Sequence, residues 1–208
     1  MTGGPAPHTS TLAVVLAGGA SRRFGRDKLR EVVDGVSLLE RALAAVPAGV
    51  TAVVAGPERD GGPAAAVLSV LREAPDGLVR VLVLAGDQPF AAAVVPHLLA
   101  ALPGPGQGAA AGREAEDPTI AGGPQGAIAV DPSGHRQPLL AVYAAGPLRR
   151  ALEALPDDAR GAGLLRVVAG LRLVEVAVGH EHASDVDTPA DLARARARAR
   201  ARALGGGA

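Results

Sequence analysis

The residues that could do chemistry gather in a short run behind the first apolar segment. Thr11 to Leu16 (TLAVVL) leads into Ala17-Gly18-Gly19-Ala20-Ser21-Arg22-Arg23-Phe24-Gly25-Arg26-Asp27-Lys28. A glycine pair directly after a buried strand lets the main chain approach a ligand and aims successive N–H groups at an anion. Four cations, Arg22, Arg23, Arg26 and Lys28, follow within nine residues of Gly19. Together these features describe a polyphosphate cradle; the plainer alternative is a basic turn joining strand to helix. The run lacks the third glycine of the dinucleotide fingerprint, and its lysine is not placed beside Ser/Thr as in a P-loop. Lys28 is the only lysine among 21 basic residues, in a chain that also has no asparagine. A lysine kept against that bias invites a chemical role on an exposed rim, where it would contribute little to the core.

Two acidic sites complement the cradle. Asp87, in Leu84-Ala85-Gly86-Asp87-Gln88-Pro89-Phe90, follows a Val/Leu-rich run and belongs at the carboxyl end of a strand. Ligands of open α/β sheets bind outside those ends, so Asp87 and the glycine pair share one rim. A carboxylate there can hold Mg2+ that bridges phosphates, the alternative being a turn-forming Asp before Pro. Asp185-Val186-Asp187 places two carboxylates on one side of an extended segment just ahead of a helix. They either complete an oxygen-rich cation site with Asp87 or serve as turn and capping residues, and Asp187 is the one selected as a metal ligand.

Other candidates fall away. His180-Glu181-His182 lacks the i, i+4 histidine spacing of a zinc helix and reads as a solvated surface group. Ser21 and Ser133 sit in no Gly-x-Ser-x-Gly elbow. Cysteine is absent, which removes thiolate metal sites, iron–sulfur clusters and cysteine nucleophiles.

Positioning these residues requires alternating strands and helices. Strands are expected at Thr11 to Leu16, Val50 to Ala55, Val79 to Leu84, Ala127 to Val130, Gln137 to Tyr143 and Arg172 to Val178. The fourth and fifth bracket an Asp131-Pro132-Ser133-Gly134 turn and pair antiparallel. Helices are expected over Ser37 to Val46, Pro63 to Glu73, Val94 to Leu102, Leu148 to Leu155 and Leu164 to Gly170. A last helix opens with Thr188 as N-cap, Pro189 in the first helical position and Asp191 three residues after the cap. The pattern specifies an α/β chain: a three-layer α/β/α fold with a mixed, mostly parallel sheet. One domain over residues 11–192 is expected, preceded by a disordered 1–10 and followed by an Ala/Arg-rich helical tail, 193–208, with a solvated, fraying end. Pro103 to Gly126 reads as a mobile loop.

Charge balances, with 21 Lys+Arg against 21 Asp+Glu, so no global field draws the molecule to nucleic acid or anionic lipid. The first apolar run is too short for a membrane span or a secretory segment, and a cytoplasmic protein is expected.

At this point LAGGASRRFGRDK, GDQPF and DVDTPADL, in that order, resemble the nucleotidyltransferases of the molybdenum cofactor guanylyltransferase type. The resemblance covers most of residues 12 to 200, and the first motif is its most specific part. It implies a Rossmann-like nucleotidyltransferase fold and Mg2+-dependent transfer of GMP from GTP to the phosphate of a molybdopterin-type acceptor, with pyrophosphate leaving. By the same resemblance Leu16, Ala17, Gly18 and Gly19 surround the base and phosphates, Arg23 lies near the pyrophosphate and Lys28 on the phosphates. Asp87 matches the magnesium-binding aspartate, Asp187 the last polar residue near the metal, and Gly62-Pro63 the start of a helix placed against base and ribose. The catalytic set is then Arg23, Lys28 and Asp87. Only Ala55 to Gly61 separates the second strand from Gly62, where family members carry a further strand ending in an acidic turn. A molybdoenzyme or cofactor-delivery protein is an expected transient partner; a membrane or nucleic acid is not. The alternatives are a cytidylyltransferase for the same pterin or another nucleotidyltransferase, and a nucleotide-binding regulatory or assembly protein without turnover.

Overall fold

A computed structural model describes residues 11–18, 24, 27–59, 61–104 and 122–205. Gly19, Arg23, residues 1–10 and most of the expected 103–126 loop lie outside the described residues. Six strands form the main sheet: β1 (Thr11–Leu16), β4 (Thr51–Ala55), β5 (Arg80–Ala85), β6 (Gly126–Val130), β7 (Arg136–Ala144) and β8 (Leu173–Ala177), in the order β4-β1-β5-β7-β6-β8. β1 runs parallel to β4 and β5, and β6 parallel to β8, while β7 is antiparallel to both β5 and β6. The sheet is therefore mixed and mostly parallel, and the expected antiparallel pair is β6 and β7.

The central strands are buried on both faces, which explains their continuous apolar sequence. Leu12, Val14, Leu16, Val81 and Val83 point to one side, where α2 (Pro63–Glu73), α4 (Ala145–Glu153) and α5 (Leu164–Val168) pack. Ala13, Val15, Leu82 and Leu84 point to the other, against α1 (Leu38–Ala44) and α3 (Val95–Ala101). With helices on both faces the core forms two apolar layers around the sheet.

Two features depart from the sequence reading. Val32–Val33 (β2) and Val36–Ser37 (β3) form a small antiparallel hairpin across Asp34-Gly35, both with positive φ, 53° and 75°. The Ala/Arg segment is solvated only in part: residues 200–204 are exposed, but its earlier turns pack against the body. It continues α6 (Pro189–Gly205), whose Leu192, Ala195 and Ala199 are buried against Val33, Leu38, Phe90 and Val186. Arg196 donates from Nε to the carbonyl of Val32 at 2.8 Å, and Arg198 lies over the Phe90 ring at 4.8 Å from its centroid. Alanines four apart make the narrow buried stripe of this helix, leaving the arginines to straddle it.

Candidate active site

The parallel strands end in register, Leu16 beside both Ala55 and Ala85. Two main-chain bonds carry that alignment past the strands: Ala17 N–H to Ala55 O at 2.8 Å and Gly86 N–H to Leu16 O at 2.9 Å. Gly86 eases this approach, since a Cβ there would stand 3.1 Å from the Leu16 carbonyl oxygen, tighter than an ordinary contact. The rim thus sets Gly18, Gly56 and Asp87 side by side, as strand register dictates.

Lys28 reaches that rim from a 3-10 turn, Lys28–Arg30, capped by Asp27, whose Oδ1 accepts from the Leu29 N–H at 3.1 Å. Its Nζ donates to Asp87 Oδ2 and to Asp187 Oδ1, each at 2.6 Å. The lysine side chain is only 16% exposed, which corrects the expectation of an open rim residue. Burial opposes its charge, but the hydrogen bonds to Asp187 and Asp87 outweigh that and hold its pKa above the usual lysine value.

Asp187 arrives from the far end of the chain, and its position follows from local capping. Thr188 Oγ1 accepts from the Asp191 N–H at 3.2 Å while Asp191 Oδ2 accepts from the Thr188 N–H at 2.7 Å, a reciprocal capping box with Pro189 opening α6. The residue before Asp187 is pinned as well: Val186 N–H donates to the Asp87 carbonyl at 3.0 Å. Asp185 lines the same wall with more than a third of its surface open. Loss of solvent around its carboxyl and the nearby charge of Asp87 raise its pKa to about 6, although Gln88 hydrogen-bonds to it.

Two carboxylates already sharing one cation fit a hard divalent ion. Magnesium is commonly held by one or two carboxylates together with substrate phosphates. Asp87 and Asp187, which converge on Lys28 Nζ, are the carboxylates at this centre that could hold it.

Cavities of about 620 Å³ open on either side of this centre. One is walled by Leu16, Gly18, Ala55, Gly62, Pro63 and Asp87, bringing together the described base and phosphate residues that the sequence selects, except Ala17 and Lys28. The other is walled by Phe90, Glu181, Asp185, Asp187, Arg194 and Arg198. Asp87 belongs to the first, Asp187 to the second, and Lys28 joins them. Sequence reasoning missed Arg59 on the first cavity and the α6 arginines on the second. Arg59 was detectable by its place just past the carboxyl end of β4, whereas the α6 residues required the helix packing. Glu181 and His182 are not simply solvated: Arg198 pairs with Glu181 at 3.0 Å and Arg202 Nη2 lies 2.9 Å from His182 Nε2.

A family model, the MobA-like NTP transferase domain, matches residues 13–55 and 43–176. The chain belongs to this family of nucleotidyltransferases. No curated protein matches it significantly. Among solved structures, molybdopterin-guanine dinucleotide biosynthesis protein A from Archaeoglobus fulgidus is similar at 21% identity and TM-score 0.61, covering 91% of this chain and 98% of that one. The 2-C-methyl-D-erythritol 4-phosphate cytidylyltransferase of Thermus thermophilus is similar at 20% identity and TM-score 0.57, with 91% and 98% covered. A Mycobacterium tuberculosis protein solved with manganese is similar at 17% identity and TM-score 0.55, with 90% and 98% covered. These likenesses establish the fold of the MobA-like chain. Among its described residues no helix is long and apolar enough to cross a membrane.

Proposed function

We propose that this nucleotidyltransferase transfers GMP from GTP to the terminal phosphate of a molybdopterin-type acceptor in a Mg2+-dependent reaction. The observation that carries the reading is the pair of cavities meeting at Lys28, Asp87 and Asp187. A reaction joining two phosphate-bearing substrates needs a pocket on each side of one charge-neutralising centre. The cavity at Gly18 and Gly62 takes the nucleotide, and the cavity at Asp187 and Phe90 takes the acceptor. The LAGGASRRFGRDK loop supports GTP and the pterin through its resemblance to the molybdenum cofactor guanylyltransferases.

An acceptor phosphate oxygen attacks the α-phosphorus, its new P–O bond forms as the bond to the β-phosphate oxygen breaks, and pyrophosphate leaves. The acceptor is already an anion at neutral pH, so no general base is needed. Lys28 and the two carboxylates supply the charges that meet at this centre. When bound at Asp87 and Asp187, a divalent cation supplies Lewis-acid charge to phosphate oxygens. Lys28 contributes a compact, mobile positive charge, and Arg23 is assigned to the leaving pyrophosphate. Rate enhancement then comes from alignment and charge neutralisation.

Pyrophosphate release with molybdopterin as acceptor tests the reading. GTP should support release well above CTP and ATP; release from CTP in preference to GTP makes the chain a cytidylyltransferase, and nucleotide binding without release makes it a binding protein.

A further inference from the structure

We infer that Arg59 reads the base: it selects a nucleotide whose base presents two adjacent hydrogen-bond acceptors. The inference rests on nucleotide binding at the Gly18–Gly62 cavity. Of the described side chains lining that cavity only Arg59 and Asp87 are charged, and Asp87 is engaged by Lys28. Most of the remaining wall is aliphatic side chain, proline or glycine backbone, including Leu16, Ala55, Pro57, Ala66 and Leu139. Aliphatic side chains and proline can stack or enclose a base but carry no group for its polar edge, so among the lining side chains that reading falls to Arg59.

Arg59 is held for the task by the helix behind it. Its Nη1 and Nη2 donate to the two carboxylate oxygens of Glu73, at 2.8 and 2.6 Å, and Nη1 also donates to Ser69 Oγ. Ser69 and Glu73 are four residues apart on one face of α2, so the guanidinium plane is fixed by a rigid element. Its main chain is fixed too, the Arg59 N–H donating to the Gly56 carbonyl at 3.1 Å. These bonds use one edge of the guanidinium. Nε–H makes no hydrogen bond among the described residues, and with the second Nη2 hydrogen it forms the other donor fork.

Arg59 also borders a polar cleft of about 310 Å³ with Ser69, Arg72 and Asp158; turned to a base in the apolar cavity, its fork would discriminate by what it leaves unpaired. Guanine offers adjacent acceptors at O6 and N7, and cytosine at N3 and O2. Adenine sets its N6 amino donor beside N7, and uracil sets an N3–H donor beside each carbonyl, so each opposes a donor to the fork. A site built around buried polar groups rejects a mismatched edge more strongly than an apolar pocket rejects a change of size. Guanine through O6 and N7 is the pairing that accords with the proposed reaction.

Titration calorimetry of the full chain with Mg2+ and each of GTP, 7-deaza-GTP, CTP, ATP and UTP tests the assignment. GTP should bind at least about tenfold tighter than ATP and UTP, and carbon in place of N7 should cost about tenfold. Arg59→Lys, which keeps the charge and loses the fork, should bind GTP, 7-deaza-GTP and ATP alike. The 7-deaza comparison uses the unaltered protein, so a folding defect in the variant cannot mask the answer. Equal binding of GTP, 7-deaza-GTP and ATP by the unaltered chain, or unchanged discrimination in a folded Arg59→Lys, overturns the role of Arg59 while leaving nucleotidyl transfer standing. A CTP preference that depends on Arg59 keeps the base-reading role and overturns the guanylyl reading. No binding of any triphosphate overturns both.

Discussion

Lys28 Nζ lies 2.6 Å from Asp87 Oδ2, joining the Lys28–Arg30 turn to the carboxyl end of β5 across 59 residues of sequence. With Asp187 on its other side, the ammonium stands where the two carboxylates converge, as a divalent cation would. In the proposed reaction the same two carboxylates would serve either cation, and the lysine would leave them to reach a phosphate.

Replacing Lys28 by alanine should reduce kcat about 10²- to 10³-fold, the loss expected for one preorganised transition-state donor. Without metal the variant should melt below the parent, because Asp87 and Asp187 then face each other without a counter-charge. Mg2+ or Mn2+ should restore the melting temperature, and calorimetry should show tighter metal binding than in the parent, where the ammonium competes. Equal metal affinity in the two proteins would mean that Lys28 does not occupy the metal position. Lys28→Arg should also be impaired, since its planar fork is bulkier than an ammonium.

Asp87→Asn should abolish metal-dependent turnover while GTP affinity measured without metal changes by less than about threefold. Asp187→Asn should be milder, because its side chain is 52% exposed against 19% for Asp87 and water can take its place. Equal losses in metal-free and metal-dependent affinity would reassign Asp87 as a turn residue.

The α6 packing gives a stability prediction. Ala199 is 7% exposed against the Phe90 and Val33 cluster, so Ala199→Glu should cost about 1–3 kcal/mol by overpacking. Ala197→Glu on the exposed face should stay within about 0.5 kcal/mol. Denaturant melts of the two variants check this. Phe90 follows Asp87 by three residues, so truncation after Leu192 should lower both stability and turnover; unchanged values would show that the Ala/Arg helix is dispensable.

The sheet and its site were legible where side-chain pattern and local chemistry coincide. TLAVVL and VRVLVL are buried on both faces, so an unbroken apolar run is what their burial demands, and Pro63 and the Thr188-Pro189-Ala190-Asp191 cap mark helix starts by local rules. The Val32–Ser37 hairpin escaped because two-residue strands show no alternation, although Asp34-Gly35 between valines is a turn signal in its own right. The buried stripe of α6 escaped because alanine contributes too little side chain to stand out among arginines. Lys28, Asp87 and Asp187 could be named from their motifs, but their meeting depends on strand register and on the Val186 to Asp87 main-chain bond, which no single segment encodes. Arg59 could be named from its place after β4, but the partners that fix it, Ser69 and Glu73, lie on the following helix.

One centre, Lys28 with Asp87 and Asp187, is proposed to pass a nucleotidyl group between the two cavities. The most direct measurement follows GTP labelled at the α-phosphorus, incubated with Mg2+ and molybdopterin. Label should appear in a pterin dinucleotide at a rate that depends on Lys28 and Asp87. Label that stays in GTP, or appears only as free GMP, with the unaltered folded protein would contradict it.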